Sequence, residues 1–174
     1  KWCKGEGVRN THLLAIAPNS SSALICGGVS QGIEPVYKNV FVQGTPAGEI
    51  NRINPVLVDL MKVKGVFNHD NIDAIIKDNG SVQLVDWLTD EEKEVFKTAF
   101  EINQEVLLRL ASVRQRHICQ AQSLNLFFPA EVSEEEVSRI HKIAFKDKYI
   151  KSLYYVRSEA GVRGSTGECV ACEG

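Results

Sequence analysis

The sequence has no apolar run approaching the roughly 18 residues that would signal a membrane helix. No basic start leads into an apolar stretch, so a secretory signal is not expected either. Charge of one sign is also missing. The 20 Lys and Arg stand against 22 Asp and Glu, a formal net charge of -2, which argues against nucleic acid or an anionic membrane as the main partner. Internal repeats and low-complexity blocks are absent. Position 1 is Lys rather than an initiator Met, so the chain is expected to be a portion of something longer or a trimmed product. Cysteine is sparse and odd in number: Cys3, Cys26, Cys119, Cys169 and Cys172. Only the last two have motif spacing, which speaks against a secreted disulfide scaffold and for a reducing cytoplasm.

What is present suffices for one ordinary globular core: 174 residues, 44% of them hydrophobic. His12 to Ala17 is a short apolar run ending at Pro18, the pattern of a buried strand. Asn19 to Ser22 is rich in capping side chains, and Ala23 to Cys26 then leads to Gly27-Gly28. This spacing predicts strand, turn, short helix and glycine stop. Val40 to Val42 and Glu49 to Ile53 flank Gly44 to Gly48, as in a hairpin or a long turn. Asn54-Pro55 opens a helix that Gly65 closes, and a second helix runs from about Asn68 to Lys77 with Asn79-Gly80 as its stop.

The longest helix is predicted to begin at Thr89, where Thr89 to Glu92 has capping-box spacing. Val95, Ala99, Ile102, Val106, Leu110 and Val113 would form its apolar stripe. Ser123 to Phe128 reads as a strand. Ser133 to Glu136 has capping-box spacing again and opens a helix through Val137, Ile140 and Ala144, and Leu153 to Val156 reads as a last strand. From residue 160 on, glycine and small polar residues dominate, which predicts a flexible tail over 160–174 after a body over 1–159. Alternating strands and helices indicate an α/β architecture, and the strands are too few to close a sheet among themselves.

Three places carry chemistry. At Pro18, Asn19, Ser20, Ser21 and Ser22 a helix N-terminus with small hydroxyl side chains suits a phosphate, although such a stretch is also an ordinary cap. Tyr154 and Tyr155 are adjacent, so a regular strand would send them to opposite faces, one to the core and one outward. A distorted strand could instead stack them as a redox pair. Cys169 and Cys172 form a CxxC, which permits fast thiol–disulfide exchange; without a second ligand pair nearby, zinc is not expected. On a mobile segment this dithiol suits a carrier between two reaction partners, or it is an idle terminal pair. Cys3, Cys26 and Cys119 are expected to be buried inert thiols, and His12, His69 and His141 structural or surface residues.

The order and wording of these segments are more specific than any one of them. APNSSSALICGG, GIEP (Gly32 to Pro35), GEINRINP (Gly48 to Pro55), QSLN (Gln122 to Asn125) and LYYVR (Leu153 to Arg157) together resemble the large (alpha) subunit of class I ribonucleotide reductases. The resemblance runs from about Arg9 to Arg157, with a cysteine-pair tail at the family's usual place. It implies the C-terminal portion of a ten-stranded α/β barrel that is incomplete without its upstream part. It also implies that Pro18 to Ser22 bind the phosphates of a ribonucleoside diphosphate. Tyr155 would receive a radical and Tyr154 pass it on, and Cys169 and Cys172 would re-reduce an active-site disulfide.

The resemblance implies no cofactor bound directly to this chain. The radical would come from a metal-containing small subunit, and thioredoxin or glutaredoxin would serve as reductant. The family's finger-loop cysteine, redox cysteine pair and Asn/Glu proton-transfer pair have no match here. An N-terminal part of the large subunit is therefore an expected partner, and the fragment alone is expected to be inactive. A naturally split subunit of phage type, working in the host cytoplasm, would account for such a piece, as would a processing product. The competing readings are a non-enzymatic CxxC redox or adaptor module with a vestigial barrel portion, and a stand-alone phosphate-binding domain.

Overall fold

The computed structural model of the chain describes residues 9–27, 30, 32–45 and 48–159. Helix α1 (Ser20–Ile25) follows Asn19, and the chain turns out of it at Gly27 with a φ of 111°. Strands β1 (Val40–Thr45) and β2 (Gly48–Ile53) pair antiparallel, Val40 opposite Ile53, as the flanks of the turn predict. Asn54 accepts a hydrogen bond from the Val56 N–H, Pro55 takes the first position of α2 (Pro55–Lys64), and Gly65 ends it in the left-handed region. Asn68 caps α3 (His69–Lys77) in the same way through the Asn71 N–H. Asn79 and Gly80, both at positive φ, then reverse the chain.

The long helix expected from Thr89 is instead two. The Thr89 capping box forms as predicted, with Glu92 as its reciprocal partner, but α4 spans only Asp90–Val95. Its continuation fails because the Ala99 N–H donates to the Val36 carbonyl and the Thr98 N–H to the Glu101 carboxylate, so neither can extend the helical ladder. Asn103 then caps a new helix, α5 (Gln104–Gln115), by accepting from the Glu105 N–H. The expected apolar stripe fails at four positions: Val95, Val106, Leu110 and Val113 are exposed and α5 buries Leu107, Leu108 and Ala111 instead, while Ala99 is buried and Ile102 packs beside it. The longest described helix is α6 (Glu134–Lys146), capped by Ser133. The Ser133 box is only half made, since the Glu136 carboxylate turns to Arg139.

Strands β3 (Leu126–Phe128) and β4 (Val156–Ser158) pair in parallel, Leu126 opposite Val156. A parallel bridge from Ile16 to Gln122 sets the 12–17 segment alongside the approach to β3. That segment is extended as predicted but not buried: Leu13 and Leu14 are among the most exposed large apolar residues. The three residues of β3 are all buried, as in a parallel strand covered on both faces. Leu126 and Phe128 join Leu108, Ala111, Ile140 and Ala144 between α5 and α6, while Phe127 faces Ala99 and Leu107. A separate apolar group joins Val40 to Leu57, Met61 and Ile75, holding α2 and α3 against the hairpin. Asn39, fully buried, stitches this part together by donating to the Phe96 carbonyl and accepting from the Asn54 side chain. No helix among the described residues is long and apolar enough to cross a membrane.

Two turn glycines make different demands on a side chain. Gly65 sits at φ 69° with open space where a Cβ would stand. Gly80 sits at φ 86°, and a Cβ there would lie 2.7 Å from Lys38 Cβ and 3.0 Å from the Val40 carbonyl oxygen. Gly65→Ala should therefore cost only the left-handed penalty, ~1–2 kcal/mol. Gly80→Ala should cost a further ~1–3 kcal/mol from overpacking against backbone. Urea midpoints of the two variants check the ranking, and equal midpoints would contradict it.

Candidate functional site

The two adjacent tyrosines meet side by side. The Tyr154 and Tyr155 ring centroids are 4.1 Å apart at an interplanar angle of 54°, and the Tyr155 O–H points to the Tyr154 oxygen at 3.4 Å. A regular strand would have separated them. The backbone shows why it does not. The Tyr154 N–H donates to the Leu124 carbonyl (2.8 Å), which in an even parallel ladder would send the Leu126 N–H to the Tyr154 carbonyl. It goes instead to the Tyr155 carbonyl (2.9 Å). Two residues, Tyr154 and Tyr155, thus stand opposite one, Asn125, which is the geometry of a β-bulge, and the bulge re-aims the side chains. β4 resumes regular pairing only at Val156.

The extra amide that such a bulge creates is met by a side chain. The Tyr155 N–H donates to Asn125 Oδ1 at 3.0 Å. Asn125 is held in turn by Glu34, whose carboxylate accepts from the Asn125 N–H (2.7 Å) and from Asn125 Nδ2 (2.8 Å). Burial raises the Glu34 carboxyl above the ordinary carboxylate range; the two Asn125 donors and the charges of Arg157 and Arg114 pull it partly back. The Arg157 guanidinium also lies over the Tyr155 ring, 5.1 Å from its centroid. Arg114 reaches further along the same seam, donating from Nε to Gln122 Oε1, while Gln122 Nε2 donates to the Ala111 carbonyl and to Gln115 Oε1. Glu34, Gln122, Asn125, Tyr155 and Arg157 belong to GIEP, QSLN and LYYVR, three segments up to 125 residues apart that converge here. Sequence reasoning singled out the segments and the tyrosines but gave no role to Glu34, Asn125 or Arg157. Their signal was only the motif wording.

The serine loop is built differently from the expected cap. Pro18 and Asn19 are exposed, and Asn19 makes no side-chain cap to α1: its Nδ2 donates back to the Ala17 carbonyl. The first helical bond runs from the Ala23 N–H to the Asn19 carbonyl, so Ser20, Ser21 and Ser22 form the first turn. The loop is joined to the tyrosine region through the chain that follows, where Ser30 Oγ donates to the Glu34 carbonyl. Cys169 and Cys172 lie outside the described residues, as do Cys3 and the whole 160–174 segment, whose last described neighbour, Glu159, accepts a hydrogen bond from Asn79 Nδ2. Cys26 and Cys119 are exposed, contrary to the expectation of buried thiols. The Leu14 and Leu13 N–H groups both donate to Cys119 Sγ, and that pair lowers its pKa. No group of three or more His, Cys, Asp or Glu able to hold a metal occurs among the described residues.

The chain has clear relatives among known proteins. A family model described as "Ribonucleotide reductase, barrel domain" matches residues 2–156. A frog virus 3 (isolate Goorha) protein, assigned by name as a ribonucleoside-diphosphate reductase large subunit, is 42% identical over 98% of this chain and 32% of its own length. The large subunit of Danio rerio is 35% identical over 90% of this chain and 19% of its own. Among solved structures, the Actinobacillus ureae class Id ribonucleotide reductase alpha subunit superposes with a TM-score of 0.77 at 35% identity, covering 98% of this chain and 29% of that one. The chain thus spans about a third or less of the length of these relatives.

The raised Glu34 carboxyl has a consequence for stability. The folded chain holds the Glu34 proton more tightly than the unfolded chain does, so the group favours folding at low pH. That contribution falls as pH rises from the ordinary carboxylate range through the folded pKa. In Glu34→Gln this fall is absent. The difference in unfolding free energy, variant minus parent, should therefore rise with pH across that window in paired urea titrations. A difference that stays flat or falls would contradict the assignment.

Proposed function

Because this chain belongs to the ribonucleotide reductase barrel family, we propose that it is the C-terminal part of a class I large subunit. In this reading it reduces ribonucleoside diphosphates to deoxyribonucleotides once joined to an N-terminal part and to a radical-bearing small subunit. The observation that carries the reading is the side-by-side packing of Tyr154 and Tyr155 with their oxygens 3.4 Å apart. A phenol titrates near pH ~10, so at neutral pH it must give up a proton together with an electron. Neighbouring phenols meet that need by exchanging a hydrogen atom, so that proton and electron move together and neither ring is left charged. Tyr155 loses a hydrogen atom to the oxidant supplied by the small subunit. Its oxygen then accepts the hydrogen atom of the Tyr154 O–H, and the unpaired electron passes to Tyr154. A cysteine thiol of the upstream part would restore Tyr154 in the same way.

The serine turn and the tail supply the other two functions. Backbone amides and hydroxyls at Asn19, Ser20, Ser21 and Ser22, with Pro18 fixing the entry of the loop, would hold the substrate diphosphate at the positive end of α1. Each turnover oxidises two active-site thiols to a disulfide while the ribose gains two electrons. The Cys169/Cys172 dithiol would return that pair to thiols by exchange, becoming a disulfide itself, and thioredoxin or glutaredoxin would then reduce the tail. The cysteines stand ten and thirteen residues beyond Glu159. At roughly 3.3–3.6 Å per extended residue, a linker of that length can span at most about 33–47 Å.

The decisive experiment mixes this chain with a matching N-terminal large-subunit part and the small subunit, and measures deoxyribonucleotide formation. Turnover is expected, and Tyr154→Phe or Tyr155→Phe should each reduce it by several orders of magnitude, because phenylalanine offers no O–H hydrogen atom. The Cys169→Ser/Cys172→Ser variant should complete about one turnover and then stop with thioredoxin as reductant, continuing if a small dithiol is added. Full activity in the phenylalanine variants, or in a mixture lacking this chain, would sink the reading.

A further inference from the structure

We propose that Asn125, clamped by Glu34, is the positioning device that keeps Tyr154 and Tyr155 on the same side of the strand; the inference rests on the relay reading only for its effect on turnover. A bulge leaves one amide without a ladder partner, and an unmet backbone N–H in a partly buried strand is destabilising. Here that amide is the Tyr155 N–H, and Asn125 Oδ1 accepts it. Were Oδ1 removed or turned away, the strand would regain its bonding by slipping one residue, so that the Leu126 N–H met the Tyr154 carbonyl. Such a slip returns adjacent side chains to opposite faces and parts the rings.

Asn125 is suited to the task only in one orientation. Its amide must present oxygen to Tyr155 and nitrogen away from it, and the two Glu34 oxygens enforce this by accepting from Nδ2 and from the Asn125 backbone N–H at once. The charges of Arg157 and Arg114 lie near enough to Glu34 to favour its ionised form. Arg157 further lies over the Tyr155 ring, so the same group of charges borders the ring whose position it helps to set. Glu34 and Asn125 act through the backbone N–H of Tyr155.

The hydrogen-bond pattern permits a complementary exchange. In Asn125→Asp the Tyr155 N–H retains an acceptor, but a second carboxylate oxygen faces Glu34 and the two repel. Adding Glu34→Gln restores the pattern. The introduced amide nitrogen donates to the new carboxylate at position 125, and the amide oxygen accepts from the backbone N–H of that position. The first measurement is made on the chain itself, with 3-fluorotyrosine at position 155 read by fluorine NMR. Tyr154→Leu, which removes the neighbouring ring, calibrates the shift. Asn125→Asp should move the signal by a comparable amount, and the double variant Asn125→Asp/Glu34→Gln should bring it back. An unmoved signal in Asn125→Asp, with Tyr154→Leu still shifting it, overturns the proposal. If circular dichroism shows Asn125→Asp unfolded, Glu34→Gln alone decides. It keeps one acceptor and should shift the signal part of the way, and an unshifted signal there overturns the proposal equally.

The second measurement is turnover in the assembled large and small subunits. Asn125→Asp should lower kcat by about 100-fold with KM for the nucleotide within about twofold, and the double variant should recover at least about tenfold of it. A change in KM with kcat preserved would assign the pair to substrate binding and overturn the positioning role. The two failures separate cleanly. If Tyr154→Phe and Tyr155→Phe remain active, the relay reading falls, while the fluorine signal still judges the Asn125–Glu34 device.

Discussion

The segment from Gln122 to Phe128 is the constraint on which the C-terminal half of the structure depends. It is one extended stretch that must satisfy partners on every side. Its start bridges to Ile16, its middle binds Glu34, and its end pairs with β4 while burying Leu126 and Phe128 on one face and Phe127 on the other. A strand covered on both faces has no solvent to absorb an unmet polar group, so each backbone group along it needs a partner. The buried Gln104 illustrates the requirement: its Oε1 accepts from the Phe127 N–H while its Nε2 donates to the Ala99 and Ile102 carbonyls. The break between α4 and α5 belongs to this arrangement. Were residues 96–103 helical, the Ala99 and Ile102 carbonyls would be committed to the helix ladder and could not receive Gln104 in this form.

Local signals in the sequence held at four helix starts and two helix stops, where a residue acts on its own backbone. Asn54, Asn68, Thr89 and Ser133 cap the helices their spacing predicts, and Gly65 and Asn79-Gly80 stop them. Errors arose where a distant partner overrode a local pattern. The helix expected to run on from Thr89 is interrupted by the Val36 carbonyl, 63 residues from the Ala99 amide that it captures. The stripe assigned to that helix then faces the wrong way, because restarting at Asn103 changes which positions share the buried side. Leu13 and Leu14 depart from the buried-strand pattern for a related reason: apolar character indicates burial only when something in the chain covers it, and the described residues leave both exposed.

The functional region was legible in a more uneven way. Tyr154 and Tyr155 could be named from the sequence, but the strand rule argued that they part, and the stacked alternative needed a distortion that no local residue announces. That distortion comes from Asn125, about thirty positions earlier, and from Glu34, ninety-one positions before that. Motif resemblance recovered these residues as wording without mechanism, since GIEP and QSLN state nothing about each other. The serine turn was legible as a helix start, yet Asn19, which precedes the helix, makes no side-chain cap. Membership of the reductase barrel family agrees with the α/β reading, and the chain's share of its relatives' length agrees with a sheet that does not close upon itself.

Placing a carboxylate under the tyrosine pair has an electrostatic cost that needs a reason. Burial alone would drive Glu34 toward its neutral form, and a neutral acid could accept from only one of the two Asn125 donors with full strength while presenting a proton to the other. The two Asn125 donors, and after them the charges of Arg157 and Arg114, offset that tendency in part. Arg157, one of those charges, also lies over the Tyr155 ring. The Glu34–Asn125 arrangement therefore fixes two things at once: the orientation of the Asn125 amide and the register of the strand through the Tyr155 N–H. In a relay that moves hydrogen atoms between phenols, the rate depends on separation and orientation more than on any single contact. A rigid, charge-balanced support beneath the pair is the structural form that such a dependence calls for.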